Sequence, residues 1–395
     1  MWIIVLSFIL LSSLVVANKM QLKIGLKYIL LIGILLRILV IILSIGIQNY
    51  DLNSYKLVGE VTLLGHNIYP AFASLYNPYL PAFLYLEALA SFIQRFGIDQ
   101  IIFLKSTFAL FDIGIVCLVY KLANRNKNLA LLYALNPISI FITCFHGQFD
   151  SMPLFFLLLS IVLFINKKNR LFFIVASIAV LIKTWPLLFL LPILKQKVNK
   201  FTILFILVMP LVFISLYVVI FHSSVINILT TILKYRGVVG YYGIPLLIFN
   251  WHDSILSKNI VPIASDIFLL SYIIFAFKQK KKDVLSEILG LLLFFFIFTI
   301  GYGMQWLIWI VPFLIIKSPR YLYIFFITAT IYIATSYYFM FIHYDFLRDA
   351  LNIRRYWDGT SLFVWLSIIL ISFFYFNLSR FRNKNKLSAW KNKFK

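Results

Sequence analysis

Acidic side chains are scarce: 13 Asp and Glu stand against 36 Lys and Arg in 395 residues. Charged residues of both signs make up 12%, about half the roughly 25% usual in soluble domains. Cysteine is nearly absent. The two present, Cys117 and Cys144, sit in apolar runs, which excludes a disulfide-built secreted scaffold. There is no Walker loop, dinucleotide fingerprint, HExxH or Cys cluster, so nucleotide-driven and redox chemistry lack their usual residues. The five histidines are dispersed without metal-ligand spacing. What fills the chain instead is hydrocarbon: 63% hydrophobic and 18% aromatic residues, with a mean hydropathy of +0.97. A soluble globule cannot cover that much apolar surface, so the composition implies an all-α polytopic membrane protein. The net charge of +23 would suggest nucleic acid in a soluble protein. In a membrane chain it is an orientation signal, and no nucleic-acid partner is implied.

A span needs about 20 apolar residues, fewer in a broken helix. Clear runs are Tyr28–Ile47, Ile101–Tyr120, Leu129–Phe145, Ser151–Ile165, Phe201–Phe221, Ile260–Phe277, Leu285–Ile300, Tyr321–Ile342 and Ser361–Phe376. Leu171–Leu194 is interrupted by Lys183-Thr184-Trp185-Pro186. Gln305–Ile316 is short, and Leu80–Ile93, which carries Glu87, is too short to span well. Basic clusters occur at Lys19/Lys23/Lys27, Lys121/Arg125/Lys127, Lys167/Lys168/Arg170, Lys195/Lys197/Lys200, Lys278/Lys280/Lys281/Lys282, Lys317/Arg320 and in the tail from Arg380 to Lys395. The positive-inside rule assigns all of them to the cytoplasm. That requires Leu80–Ile93 to lie on the outer face, and Leu171–Leu194 to enter and return as two half-helices around a buried Lys183–Pro186 break. The count is then about 12 spanning or half-spanning helices, within about 11 to 13. Met1–Ala17 reads as an additional helix rather than a signal-like segment. The chain is thus a single integral membrane domain, residues 1–395, with a structured extracytoplasmic loop and interfacial helices at 48–100 and a basic cytoplasmic tail at 380–395.

This topology leaves five outer segments: Gln48–Gln100, His146–Asp150, His222–Asn259, Gly301–Met304 and His343–Thr360. They hold all five histidines. In the first, Asp51 directly follows a long helix. A carboxylate at that interface can act as a general base; the plainer reading is a helix-end acid facing water. The Tyr/Pro-rich continuation, including Tyr55, Tyr76-Asn77-Pro78 and Pro81, has the composition of a structured cover. In His146-Gly147-Gln148-Phe149-Asp150-Ser151, polar side chains sit between two apolar helices. There Asp150 either caps the next helix, opened by Pro153, or belongs to a site. Ionisable residues inside apolar runs face a partner or a cavity. Arg37 and Asp112, both near mid-span, suit a structural ion pair, and Lys105 is close enough to its helix end to snorkel. Lys183, at the break, is placed to hold a lipid phosphate. Val225–Leu233, before Lys234-Tyr235-Arg236-Gly237, suits the membrane interface.

The order Asp51-Leu52-Asn53-Ser54-Tyr55, Gly65, Tyr69-Pro70, Tyr76-Asn77-Pro78 and Pro81 resembles the first outer loop of GT-C glycosyltransferases that use polyprenyl-phosphate sugars. Phe111-Asp112, Leu135-Asn136-Pro137, Gly147-Gln148-Phe149-Asp150, the Lys183 to Pro186 break and Met304-Gln305-Trp306-Leu307-Ile308-Trp309 with Pro312 continue the resemblance, over roughly Tyr28 to Pro319. They are similar to the GPI mannosyltransferase I family and related bacterial and archaeal mannosyltransferases. The resemblance implies transfer of a hexose, usually mannose, from a dolichyl- or undecaprenyl-phosphate carrier to a glycolipid or cell-surface glycan, with Asp51 as base. It implies a plasma-membrane location in a prokaryote, or the endoplasmic reticulum in a eukaryote, with the site extracytoplasmic. Many relatives have a second acid where this chain has Asn53, which weakens a metal-binding acidic pair. No cofactor is firmly required, and Mg or Mn stays open.

The chemistry is consistent with the topology. Inverting transfer needs one base opposite a phosphate leaving group, which needs cations or donors rather than an acid. Asp51 serves as base with Asp150 in reserve. Lys183, Gln305 and Arg236 bind the donor phosphate, and Tyr55, Tyr76, His146 and Gln148 bind sugar or acceptor. The alternatives are a lipid-linked-sugar flippase or transporter, which also uses broken helices, and an assembly subunit without chemistry.

Overall fold

The computed structural model describes residues 2–20, 24–69, 78–195, 200–235, 237–248, 254–280, 283–339 and 359–377. About 81% of the described residues are helical. Among the described residues, five helices are long and apolar enough to cross a membrane: Leu26–Leu43, Gln100–Leu122, Leu204–Phe221, Asn259–Lys278 and Gly359–Asn377. A bent pair, Lys127–Ala134 with Pro137–His146, makes a sixth if it is one span.

Helix α1 (Trp2–Met20) precedes α2 (Leu26–Leu43). Helix α2 shows why a bilayer is needed. It buries Ile29, Gly33, Arg37 and Val40, the stripe that 3.6 residues per turn brings to one side. Its other faces expose Leu31, Leu35, Ile38 and Ile42, an apolar surface that water would not tolerate. Two helices at one end of the bundle follow: α3 (Tyr50–Leu63) and α4 (Pro81–Gln94). The stretch read as too short to span is α4, and it packs against α3. The fit is tight at Gly59, where a Cβ would lie 2.4 Å from the Glu87 carbonyl oxygen. Helix α5 (Gln100–Leu122) returns along α2, its start capped by Asp99, which accepts from the amides of Ile101 and Ile102 at 2.9 Å.

Next come α6 (Lys127–Ala134), α7 (Pro137–Ile140) and a π turn over Phe141–His146. Here the expected mid-span ion pair forms. Arg37 donates to Asp112 Oδ2 through Nε at 2.8 Å and Nη2 at 2.6 Å, and Tyr133 Oη donates to Asp112 Oδ1 at 2.6 Å. Arg37 also donates to the carbonyls of Gly33 and Ala134. Both charges are buried and every strong valence is used, the condition under which such a pair is tolerated. The knot fastens α2, α5 and α6 together.

Helices α8 (Ser151–Ile165) and α9 (Asn169–Ile182) pack side by side. The expected break follows α9, with Lys183 and Trp185 buried and Pro186 starting a single turn, α10 (Pro186–Phe189). The return is not one half-helix but α10 and α11 (Leu191–Leu194), because Pro192 again interrupts the ladder. The remaining elements are α12 (Lys200–Phe221), α13 (Val225–Lys234), β1 (Val238–Val239), α14 (Gly243–Ile248), α15 (Ser254–Lys278), α16 (Val284–Phe298), β2 (Gly301–Tyr302), α17 (Leu307–Lys317), α18 (Leu322–Tyr337) and α19 (Gly359–Asn377). Strands β1 and β2 pair antiparallel, Val238 with Tyr302 and Val239 with Gly301. Beneath α3 and α4 lies an aromatic cluster in which Phe83 and Phe149 stack at 3.7 Å.

Candidate functional site

Asp51 lies in the first turn of α3, capped by Asn49, whose Oδ1 accepts from Leu52 N at 2.9 Å. The Nδ2 of Asn49 donates to the His146 carbonyl at 2.9 Å, so one side chain ties the start of α3 to the end of the π turn. The turn ends at Gly147, whose φ of 79° favours glycine. A Cβ there would stand 2.7 Å from Leu52 Cδ2. A π turn followed by a left-handed residue re-aims the side chains on either side. Both meet one carboxylate: His146 Nε2 is 3.0 Å from Asp51 Oδ2, and Gln148 Nε2 donates to that oxygen at 2.6 Å. His146 Nδ1 is 2.9 Å from Tyr337 Oη. The network is satisfied when Nε2–H donates to Asp51 and Nδ1 accepts from Tyr337, a tautomer assigned from the hydrogen bonds. One turn along α3, Tyr55 donates to Gln148 Oε1 at 3.3 Å. The Asp51 side chain is 31% exposed. Among the described residues both its hydrogen bonds fall on Oδ2 and none on Oδ1.

The second carboxylate is different. Asp150 is fully buried and makes no cap bond to α8. It accepts from Lys183 Nζ at 3.0 and 2.8 Å and from Trp309 Nε1 at 2.7 Å. The capping expectation fails because a buried ammonium is a stronger partner than a helix amide. As a candidate base, Asp150 differs from Asp51 in being fully buried and held on Lys183 and Trp309. Lys183 is correspondingly a paired cation rather than an isolated one. Its ammonium also stands 4.7 Å from the Phe149 ring and 5.3 Å from the Tyr79 ring. Tyr79 and Tyr235 each lie within electrostatic reach of both Asp51 and Asp150. Burial, then neighbouring phenol and carboxylate charge, pushes the Tyr55 and Tyr79 phenols well above their ordinary range, which keeps both as neutral donors.

No family model matches the chain, and no curated protein does. The site therefore rests on its own geometry.

Of the residues singled out in the sequence, Asp51, Tyr55, His146 and Gln148 form one network, and Asp150 and Lys183 another. Gln305 is half-buried in the turn before α17 and bonds to neither carboxylate. Tyr76 and Arg236 lie outside the described residues. Lys105 does not snorkel. It is buried and donates to Ser44 Oγ at 2.9 Å, with its chain packed under Gly147. The reason is that Ser44, at the end of α2, supplies a partner closer than any headgroup. Among the described residues no three His, Cys, Asp or Glu side chains converge. Asp51 has one oxygen already held by two N–H groups, and the Asn53 side chain is exposed, so these residues do not fit a Mg or Mn ion.

Sequence reasoning did not assign a role to Tyr337, Asn49 or Trp309. The available signal for Tyr337 is the polar pair Thr335-Ser336 just before it within the apolar run Tyr321–Ile342, a setting that also suits an interfacial belt residue.

Proposed function

We propose that the chain is an inverting membrane glycosyltransferase of GT-C type, moving a hexose, mannose by preference, from a polyprenyl-phosphate carrier to a hydroxyl at the membrane surface. The observation that carries the reading is the Asp51 carboxylate: part-exposed, oriented through Oδ2 by His146 and Gln148, and set at the mouth of an apolar bundle. A lipid phosphate brings its anomeric carbon to that depth. In the reaction the acceptor oxygen bonds to the anomeric carbon as the bond from that carbon to the phosphate oxygen breaks. The acceptor proton passes to Asp51 Oδ1, and polyprenyl phosphate departs. Tyr55 and Gln148 hold sugar hydroxyls. Lys183, fixed by Asp150, and Gln305 meet the leaving phosphate.

In this reading the five long helices, the bent pair, Ser151–Ile165, Asn169–Ile182 with the return after Pro186, Val284–Phe298, Met304–Lys317 and Leu322–Tyr337 make about 12 spanning or half-spanning helices, with Trp2–Ala17 additional. The site then lies on the extracytoplasmic side. The test is transfer from radiolabelled polyprenyl-phosphate mannose to lipids extracted from membranes. Asp51→Asn is expected to lower transfer about 10²- to 10⁴-fold with donor still bound. Turnover equal to the unchanged chain refutes the base. A transporter reading draws on the break at Lys183; donor crossing the bilayer without transfer would favour it.

A further inference from the structure

At about 100° per residue, α13 (Val225–Lys234) sorts its side chains into three sectors. One packs on the protein: Ile228 is fully buried and Ile232 half-buried. The next is apolar and bare. It holds Val225, Ile226, Leu229 and Leu233, of which Ile226 and Leu233 are 71% and 75% exposed. The third holds Asn227, Thr230 and Thr231, across the helix from the bare one. A helix with protein on one flank, bare hydrocarbon on the second and polar groups on the third fits a boundary between lipid and water. In water the four apolar side chains would stay wetted as one patch. Deep in hydrocarbon the Asn227 amide would meet no partner.

The preceding helix says which boundary this is. Helix α12 includes Leu204–Phe221, a stretch long and apolar enough to cross a membrane. At its end Val219 and Ile220 are exposed. After three residues, His222-Ser223-Ser224, α13 begins, with Ser224 Oγ accepting from Ile226 N at 3.2 Å. Helix α13 thus starts where the apolar surface of a spanning helix stops. Its buried flank ties this level to the site. Ile228 shares a cluster with Val58 of α3, Leu84 of α4 and Tyr217 of α12, and α3 carries Asp51 in its first turn.

We propose that α13 lies in the plane of the membrane surface, with Val225, Ile226, Leu229 and Leu233 set about 5–10 Å into the boundary between headgroups and acyl chains, and that this seat fixes the depth at which α3 presents Asp51. The partner is the lipid surface itself. On the transferase reading above, the seat holds the base at the level where a lipid-linked substrate carries its headgroup. The seat does not depend on that reading.

The experiment uses the full chain with Cys117 and Cys144 replaced, in vesicles holding no more than one chain each, so that no second copy can cover the helix. Ile226→Cys, Leu233→Cys and Thr230→Cys are labelled singly with bimane, and Val219→Cys on α12 is the lipid-facing reference. All four positions are exposed, so the labels displace no packing. Phosphatidylcholine brominated near the headgroup end of its chains quenches from the lipid, and iodide quenches from water. Labels at Ile226 and Leu233 are expected to lose about half their emission to the brominated lipid and to be shielded from iodide about threefold relative to Thr230. Iodide reaching all three alike overturns the proposal, because the bare face would then be in water. Quenching of Ile226 and Leu233 by neither agent overturns it too, because protein would then cover them. Equal quenching of all three by the brominated lipid overturns it as well, because α13 would then be immersed.

Bimane at Leu57→Cys, exposed on α3, reads the link to the site. Ile226→Asp with Leu233→Asp removes the seat, and is expected to shift the ratio of lipid to iodide quenching at that label by about twofold. An unchanged ratio overturns the link. Neither arm reads transfer, so each outcome stands apart from the transferase reading.

Discussion

Gly147 stands between the two side chains that grip Asp51, and its conformation is what makes the grip achievable. At φ 79° any side chain is strained, and a methyl group would also press on Leu52 at 2.7 Å and on the Lys105 chain at 3.2 Å. Leu52 belongs to the first turn of α3, so relief of that clash moves Asp51 itself. Gly147→Ala is therefore expected to cost about 1–2 kcal/mol in stability from the backbone alone, read from the thermal midpoint in detergent. It should also lower transfer by at least about tenfold, since a displacement of about 1 Å at a reacting group costs on the order of 10²-fold. A variant with unchanged midpoint and rate would show that the turn is not holding the site.

At the scale of elements, the break after α9 exists because a buried cation needs its carboxylate. Lys183 ends α9 in extended conformation, and the pair it makes with Asp150 lets the chain turn inside the bundle. Removing one partner strands the other. Lys183→Met and Asp150→Asn should each destabilise by about 3–5 kcal/mol, and the double substitution by much less than their sum; additive losses would refute the pairing. The break was legible in the sequence, since Lys183 and Pro186 interrupt an apolar run. Arg37 with Asp112 was legible too, because opposite charges at similar depth have few other partners. The pairing of Lys183 was not, because Asp150 offered a local answer as a helix cap and only tertiary packing chose against it. Asp51, His146 and Gln148 were legible as polar groups at helix ends, but their convergence depends on a π turn that leaves no mark in hydrophobic periodicity. Tyr337 was hidden for a related reason: a tyrosine within the outer part of an apolar run reads as a belt residue whether or not it bonds to a histidine.

For the whole molecule, the orientation argued from basic clusters places α3 and the loop before α6 on opposite sides. In a chain with Cys117 and Cys144 replaced, His66→Cys should react with an impermeant maleimide from outside and Lys127→Cys only after the membrane is opened. Labelling of both from one side would undo the topology. The same architecture constrains how the molecule is made. Arg37 precedes its partner by 75 residues, and a lone cation at mid-bilayer costs roughly 3 kcal/mol on insertion scales. A nascent α2 has no neutralising partner until α5 has been synthesised, so the early helix has to remain with the insertion machinery or at the membrane surface until then. On the membrane reading, the Arg37–Asp112 pair is therefore expected to make α2 and α5 enter lipid together rather than one by one.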